Sequence, residues 1–185
     1  GQQYITNVSS DFEVDDELGE TKARDGAIAT IGGLITEKTI KTTKKGQLMA
    51  FLTVEDVVGT VEVVVFPNSF TANRVVIDHA EKVFVTGKVQ ANVDENAKLI
   101  CDKVVDFASI PRKLWIRFAS LSDYEDKKDE LYGILYNSDG KDTVVIYCTK
   151  ENKRLTLPAS RTIRVDSELI QKLQSMYGEK NVTTT

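Results

Sequence analysis

His79 is the only histidine in the chain, so any nucleophilic triad would have to run through it. No nucleophile motif stands near it, and an exposed or satisfied structural histidine is the better reading. Cys101 and Cys148 are the only cysteines. They lie far apart in apolar, strand-like text and share no zinc spacing with each other or with His79. Two buried free thiols in a reducing compartment are favoured over a structural disulfide. Glu55-Asp56 and Asp94-Glu95 are adjacent acidic pairs. Neighbours in a strand point to opposite faces, so neither pair converges on a metal, and both read as turn chemistry. There is no phosphate-binding glycine loop of either common type. No catalytic residue, metal ligand or cofactor is assigned to this chain.

Binding chemistry is better supported. The run "KTIKTTKKGQ" (Lys38 to Gln47) reads as a basic, threonine-rich loop that carries Lys41, Lys44 and Lys45. Phe51, Thr53 and Phe66 fall on one side of the two strands that follow, and Lys88 and Lys98 are placed to line the same groove. Aromatic rings beside lysines hold nucleic-acid single strands without reading sequence, at roughly 1–3 kcal/mol per stacked base. The competing reading makes Phe51 and Phe66 the cover of a second core layer, with the lysines only solubilising a hairpin.

The elements that must position these residues begin at Gly26. "AIATIGGLITEKTI" is rich in β-branched residues, and its Gly32-Gly33 pair predicts a bulge or sharp bend. "LMAFLTVED" alternates cleanly, with Ala50, Leu52 and Val54 on one face and Met49, Phe51 and Thr53 on the other. "TVEVVVF" places Val61, Val63 and Val65 opposite Glu62, Val64 and Phe66. Between them Asp56 to Gly59 is a tight connection, for which Gly59 is expected to supply the turn conformation. "NSFTANRVVI" reads as a short helix, and "KVFVTGKVQ" and "KLICDKVV" as two further strands. Five strands, a bend in the first, and a helix between the third and fourth are the parts of an OB-fold barrel.

The text changes style after Pro111. "KLWIRFAS", "DTVVIYCT" and "KRLTLPA" read as strands. "SDYEDKKDELYGILYNS" reads as a helix opened by a capping box at Ser122 and Glu125, with Leu131, Ile134 and Leu135 as its apolar stripe. "SELIQKLQSMYG" is a second helix, with Leu169, Leu173 and Met176 on one side and Gly178 at its end. Thr183 to Thr185 form a low-complexity tail. The fold class is therefore mainly β with α+β: a five-stranded OB-fold barrel over 26–110, then a small α+β C-terminal domain over 111–185. Residues 1–25 read as an acidic linker or arm, a solvated tail with Phe12 and Val14 as anchor points.

At 185 residues, 41% hydrophobic and 28% charged, the composition is that of an ordinary globular protein. The net charge of −4 divides unevenly. Residues 1–25 carry −5, residues 26–110 carry −1 and residues 111–185 carry +2. No part is a basic domain in bulk, so nucleic-acid affinity has to come from a local patch. No apolar run approaches the ~18 residues of a membrane span and no signal-peptide pattern opens the chain, so a cytoplasmic protein with no membrane contact is expected.

The run "GGLITEKTIKTTKKGQLMAFLTVEDVVGTVEVVVFP" resembles the OB-fold segment of the bacterial DNA polymerase III alpha subunit, the family C replicative polymerase. With "VFVTGKV" following in the family's order, the resemblance covers residues 26–108. The rest, from "KLWIRF" to "LIQKLQSMYGEKNV", is more loosely similar to that subunit's C-terminal domain. The resemblance implies a piece of a DNA-directed DNA polymerase, a nucleotidyltransferase whose palm, fingers and phosphoesterase domain lie outside these residues. It also implies an OB module beside single-stranded template DNA, contacts with the other polymerase domains, and a C-terminal unit that meets the clamp-loader tau subunit in some members. The polymerase's catalytic acidic residues and internal clamp-binding peptide are not among these residues, and no sharp tau-contact motif can be carried over. An anticodon-binding OB domain of a class II aminoacyl-tRNA synthetase shares the "G…F…L…D…G…V" skeleton, with an aromatic at a position like Phe51. A pure protein-interaction module is the third reading, favoured by the acidic arm and the weak net charge.

Overall fold

The structure is a computed structural model that describes residues 4–185. The chain forms two compact units, one ending at Ile110 and the other spanning Pro111–Thr185. Among the described residues no helix is long and apolar enough to cross a membrane.

The first unit contains β1 (Ile28–Thr42), β2 (Leu48–Glu55), β3 (Thr60–Val65), α1 (Pro67–His79), β4 (Lys82–Gln90) and β5 (Lys98–Asp106). The strands close into a barrel in the order β1-β2-β3-β5-β4. Closure depends on β1, whose first half, Ile28–Leu34, pairs with β4 while Leu34–Thr42 pairs with β2. At the change of partner a side chain on Gly33 would fall on the Glu55 carbonyl, so only glycine admits that approach. The bulge expected at Gly32-Gly33 lies slightly further on, between Ile35 and Glu37. The alternation in β2 and β3 turns Ala50, Leu52, Val54, Val61, Val63 and Val65 into the barrel, where all are buried. Such burial contributes roughly 1.5–3 kcal/mol for each large aliphatic side chain.

α1 starts at Pro67, whose missing N–H costs nothing in the first turn, and packs Phe70 and Ile77 into the same core. Its one buried polar residue, Asn73, solves a problem in β5. The β4–β5 register shifts between Thr86 and Gly87, passing over Asp102. The Asn73 amide donates to the Asp102 carbonyl at 3.0 Å, and its Oδ1 accepts the Val104 N–H at 2.9 Å. Lys38 closes the other end of α1, donating to the Ile77 carbonyl at 3.1 Å, beside Asp78 at 3.8 Å. A cation at a helix C-terminus is favourable there.

The segment expected to be a solvated arm is packed on the barrel; its first three residues lie outside the described residues. Phe12 is 2% exposed within the barrel core cluster and Ala23 is buried beside it. Backbone bonds run from Ala97 to Phe12 and from Asp94 to Gly19, and Thr6 donates to Thr30 of β1. The acidic composition hid this docking because it rests on Phe12 and Ala23 and on main-chain groups. Gly59 also has a different reason from the one expected. Its φ is not positive. A Cβ there would stand 3.2 Å from both Ser9 Oγ and Glu13 Oε1, so the glycine makes room for the arm.

The second unit runs β6 (Lys113–Phe118), α2 (Leu121–Leu135), β7 (Thr143–Cys148), β8 (Lys153–Thr156), α3 (Ser167–Tyr177) and β9 (Val182–Thr184). The sheet order is β8-β7-β6-β9, with β6 and β7 parallel and the other pairs antiparallel. β6, β7, α2 and α3 share one apolar core through Leu114, Ile116, Ile146, Leu131 and Leu173. The helix cap is Ser120 rather than Ser122: its hydroxyl accepts from the Asp123 N–H at 3.1 Å. Met176 is 38% exposed, outside the stripe that buries Leu169 and Leu173. The threonine tail supplies β9, which pairs with β6 through Val182 to Thr184. Both cysteines are buried and unbonded, one in each unit. Burial, helped by the charge of Asp102, pushes the Cys101 thiol up to about 12.

Asn73→Ala should strand the Asp102 carbonyl and the Val104 amide at once. We expect a loss of roughly 2–3 kcal/mol in urea unfolding. A change under about 0.5 kcal/mol would mean that α1 does not secure the β5 bulge.

Candidate nucleic-acid interface

Strand register decides which expected site residues share a surface. Across β1 and β2, Glu37 faces Thr53, Thr39 faces Phe51 and Lys41 faces Met49. Across β2 and β3, Phe51 faces Val64 and Thr53 faces Glu62. Opposed residues in a ladder point the same way, so these side chains form the outer face of the three strands. Of these, Glu37, Thr39, Lys41, Phe51, Thr53 and Glu62 line a concave groove of about 800 Å³, bordered further by Lys98 at the start of β5, by Glu95 and Asn96, and by Phe12 and Glu13 of the arm.

Within it the Lys41 ammonium lies 5.2 Å from the centroid of the Phe51 ring. That distance is within the range of a cation–π contact. Phe51 is half-buried, as an aromatic standing on a sheet surface should be. Lys98 is paired with Glu62 at 3.5 Å, and the Thr53 hydroxyl donates to Glu37 at 3.4 Å.

The groove therefore brings together Lys41, Phe51, Thr53 and Lys98. The other expected residues lie elsewhere. Lys44 and Lys45 are exposed in the turn that joins β1 to β2. That turn is shorter than the expected Lys38–Gln47 loop, because Lys38 to Thr42 belong to β1. Phe66 lies past the end of β3 and is 48% exposed; its carbonyl accepts the Phe70 N–H, an early turn of α1, at 2.8 Å. Lys88 is on β4, opposite Ile28 and Ile100, away from the groove lining. Sequence reasoning missed Glu37 and Glu62, although their alternation with Thr39 and Val64 carries the signal. It also missed Glu13 and Asn96, for which no local pattern exists, because a long-range contact places them. With Glu13, Glu37, Glu62 and Glu95 against Lys41 and Lys98, the groove lining is more acidic than basic.

Outside the groove, Asp56 ties the β2–β3 turn to the arm. Its carboxylate accepts from the Val58 and Gly59 amides at 2.8 and 2.9 Å, an Asx turn. It also accepts from the Ser9 amide at 2.7 Å and the Ser9 hydroxyl at 2.6 Å. Burial opposes the charge, but these bonds, led by the Ser9 hydroxyl, outweigh it and hold Asp56 below the usual carboxylate range.

Comparison with known proteins bears on this arrangement. Residues 29–106 match the family described as OB-fold nucleic acid binding domain. The DNA polymerase III subunit alpha of Bacillus subtilis is 31% identical over 83% of this chain. That of Halalkalibacterium halodurans is 25% identical over 92% of it. The chain is an OB-fold segment of the DNA polymerase III alpha type. It spans only 14% and 16% of the lengths of those two relatives. Among solved structures, asparaginyl-tRNA synthetase from Pyrococcus horikoshii aligns with 51% of this chain and 21% of its own. At 24% identity and a TM-score of 0.36, that likeness is too loose to bear on function. In this DNA polymerase III alpha segment the barrel, its groove and the docked arm all lie in the first unit, the one that contains the family match.

Asp56→Ala removes all four bonds, and a loss of roughly 2 kcal/mol in urea unfolding at pH 7 is expected. The folded pKa of Asp56 lies below the unfolded value of about 3.8, so its stabilisation is present above that pH and is lost as pH falls through the folded value. The gap between wild type and Asp56→Ala should therefore narrow below about pH 4. A gap that stays constant from pH 7 to pH 2 would refute the role of the ionised carboxylate.

Proposed function

We propose that the barrel holds single-stranded template DNA for a replicative DNA polymerase, through stacking and phosphate neutralisation. The observation that carries this reading is the Lys41 ammonium over the Phe51 ring on the open outer face, with Lys44 and Lys45 in the adjoining turn. A ring face that accepts a cation also accepts a base in its place, and the lysine so displaced meets a phosphate. The chain itself performs no catalytic step in this proposal; polymerisation belongs to the rest of a cytoplasmic polymerase, and no cofactor is held here. The second unit is proposed to contact the clamp-loader tau subunit, and the barrel to contact the other polymerase domains. The acidic groove lining favours a second reading, in which the groove receives a basic segment of a protein neighbour.

Fluorescence anisotropy with labelled oligonucleotides separates these readings. Lys44→Ala with Lys45→Ala should flatten the log–log salt dependence by about 1.4, at about 0.7 per phosphate on single strands. All sequences should weaken alike, since phosphate contacts carry no base information. Phe51→Ala should weaken binding by roughly 5- to 150-fold with the slope retained, in a protein shown by circular dichroism to be folded. Unchanged binding in both variants would move the assignment to protein contact. A marked preference for a tRNA anticodon stem-loop would move it to the synthetase-like reading.

A further inference from the structure

The helices α2 and α3 share a core with one face of the second unit's sheet. The register of that sheet sets out the composition of its other face. Lys113, Trp115 and Arg117 of β6 point there with Thr143, Val145 and Tyr147 of β7. Arg154 and Thr156 of β8 lie opposite Tyr147 and Val145, and Thr183 of β9 lies opposite Trp115. None of these outward positions is Asp or Glu. The barrel groove, by contrast, carries four glutamates against two lysines in its lining.

The aromatic residues are held in place. The Arg154 guanidinium lies 5.6 Å from the Trp115 ring centroid, and to reach it the side chain crosses β7. Val145 beneath is only 4% exposed. The Trp115 indole N–H donates to Thr185 Oγ1 at 3.0 Å, and the Tyr147 hydroxyl donates to Asn152 at 3.0 Å. Arg117 is braced by Asn181 Oδ1 at 3.0 Å and the Lys180 carbonyl at 2.8 Å. Trp115, Tyr147 and Arg117, held by these hydrogen bonds, have already lost rotamer freedom that binding would otherwise cost.

We infer that this sheet face is a second single-stranded DNA contact surface, in which bases stack on Tyr147 and, in place of the Arg154 guanidinium, on Trp115, while Lys113, Arg117 and the displaced Arg154 meet phosphates. Charge complementarity decides the occupant. A face with three cations, two aromatic rings, several hydroxyls and no side-chain carboxylate is matched by a flexible polyanion with planar groups. The surface is independent of the barrel groove and goes beyond the function proposed for it.

Trp115 is the only tryptophan in the chain, so its emission reports this face alone. Oligothymidylate titrated into the full 185-residue chain should quench Trp115 to saturation, with the quenching reversed by salt. Lys113→Gln with Arg154→Gln removes two charges but keeps the stem over Val145 and leaves the Arg117 bracing intact. This pair should flatten the salt dependence of quenching by about 1.4 and raise the half-saturation concentration about tenfold. Phe51→Ala and the Lys44 and Lys45 changes should leave the amplitude of Trp115 quenching unchanged, which separates failure of this surface from failure of the barrel. Unchanged Trp115 emission while anisotropy shows the oligonucleotide bound would overturn the inference. Equal quenching by polyglutamate of matched charge would overturn it as well, and would make the face a dock for an acidic protein segment.

Discussion

Closure of the barrel through a single strand is the constraint on which the first unit depends. β1 has two neighbours in succession, and it can change partner only where its backbone passes against the Glu55 carbonyl without a side chain. Everything downstream inherits that geometry. The inward alternation of β2 and β3 fills the interior, the outward alternation forms the groove, and α1 packs into the same core through Phe70 and Ile77. A substitution at Gly33 would therefore act on the groove as well as on the core, because both faces of β2 are registered from that point.

Polar groups divide the remaining work between them. Asn73 supplies the hydrogen bonds that the β5 bulge cannot make within the sheet. Asp56 joins a turn to a segment 47 residues away in the chain. Lys38 finishes a helix from a neighbouring strand. Each acts at a place where a regular ladder or helix ends. Buried or half-buried polar groups of this kind are costly when unpaired, so they specify one arrangement more sharply than apolar packing does.

The barrel strands were visible in the sequence because half-buried strands alternate with period two, and β2 and β3 do so with few exceptions. The same alternation placed Phe51 and Thr53 correctly on one face. It failed for Phe66, where the strand ends one residue earlier and a helix begins. It failed for Lys88, because the face of a closed barrel curves away and outward is not one direction. The arm was misread because its anchors are Phe12, Ala23 and backbone groups within otherwise acidic text. β9 was misread because a valine and two threonines carry no pattern, and only pairing with β6 makes a strand of them. Gly59 shows that the right residue can be chosen for the wrong reason: space for Ser9 and Glu13, rather than backbone conformation, favours it.

The division of β1 also has a kinetic meaning. From Ile28 to Leu34 the strand is bonded to β4, and the arm adds bonds at Thr30. From Glu37 to Thr42 it is bonded to β2 alone, and Ile40 and Leu48 on the inner side of this part are 42% and 38% exposed. One continuous strand should therefore have two lifetimes in amide exchange. The first half opens only with the barrel, while the second opens by local fluctuations of the hairpin. The turn that carries Lys44 and Lys45 sits at the end of the short-lived half, so these two exposed charges are free to search.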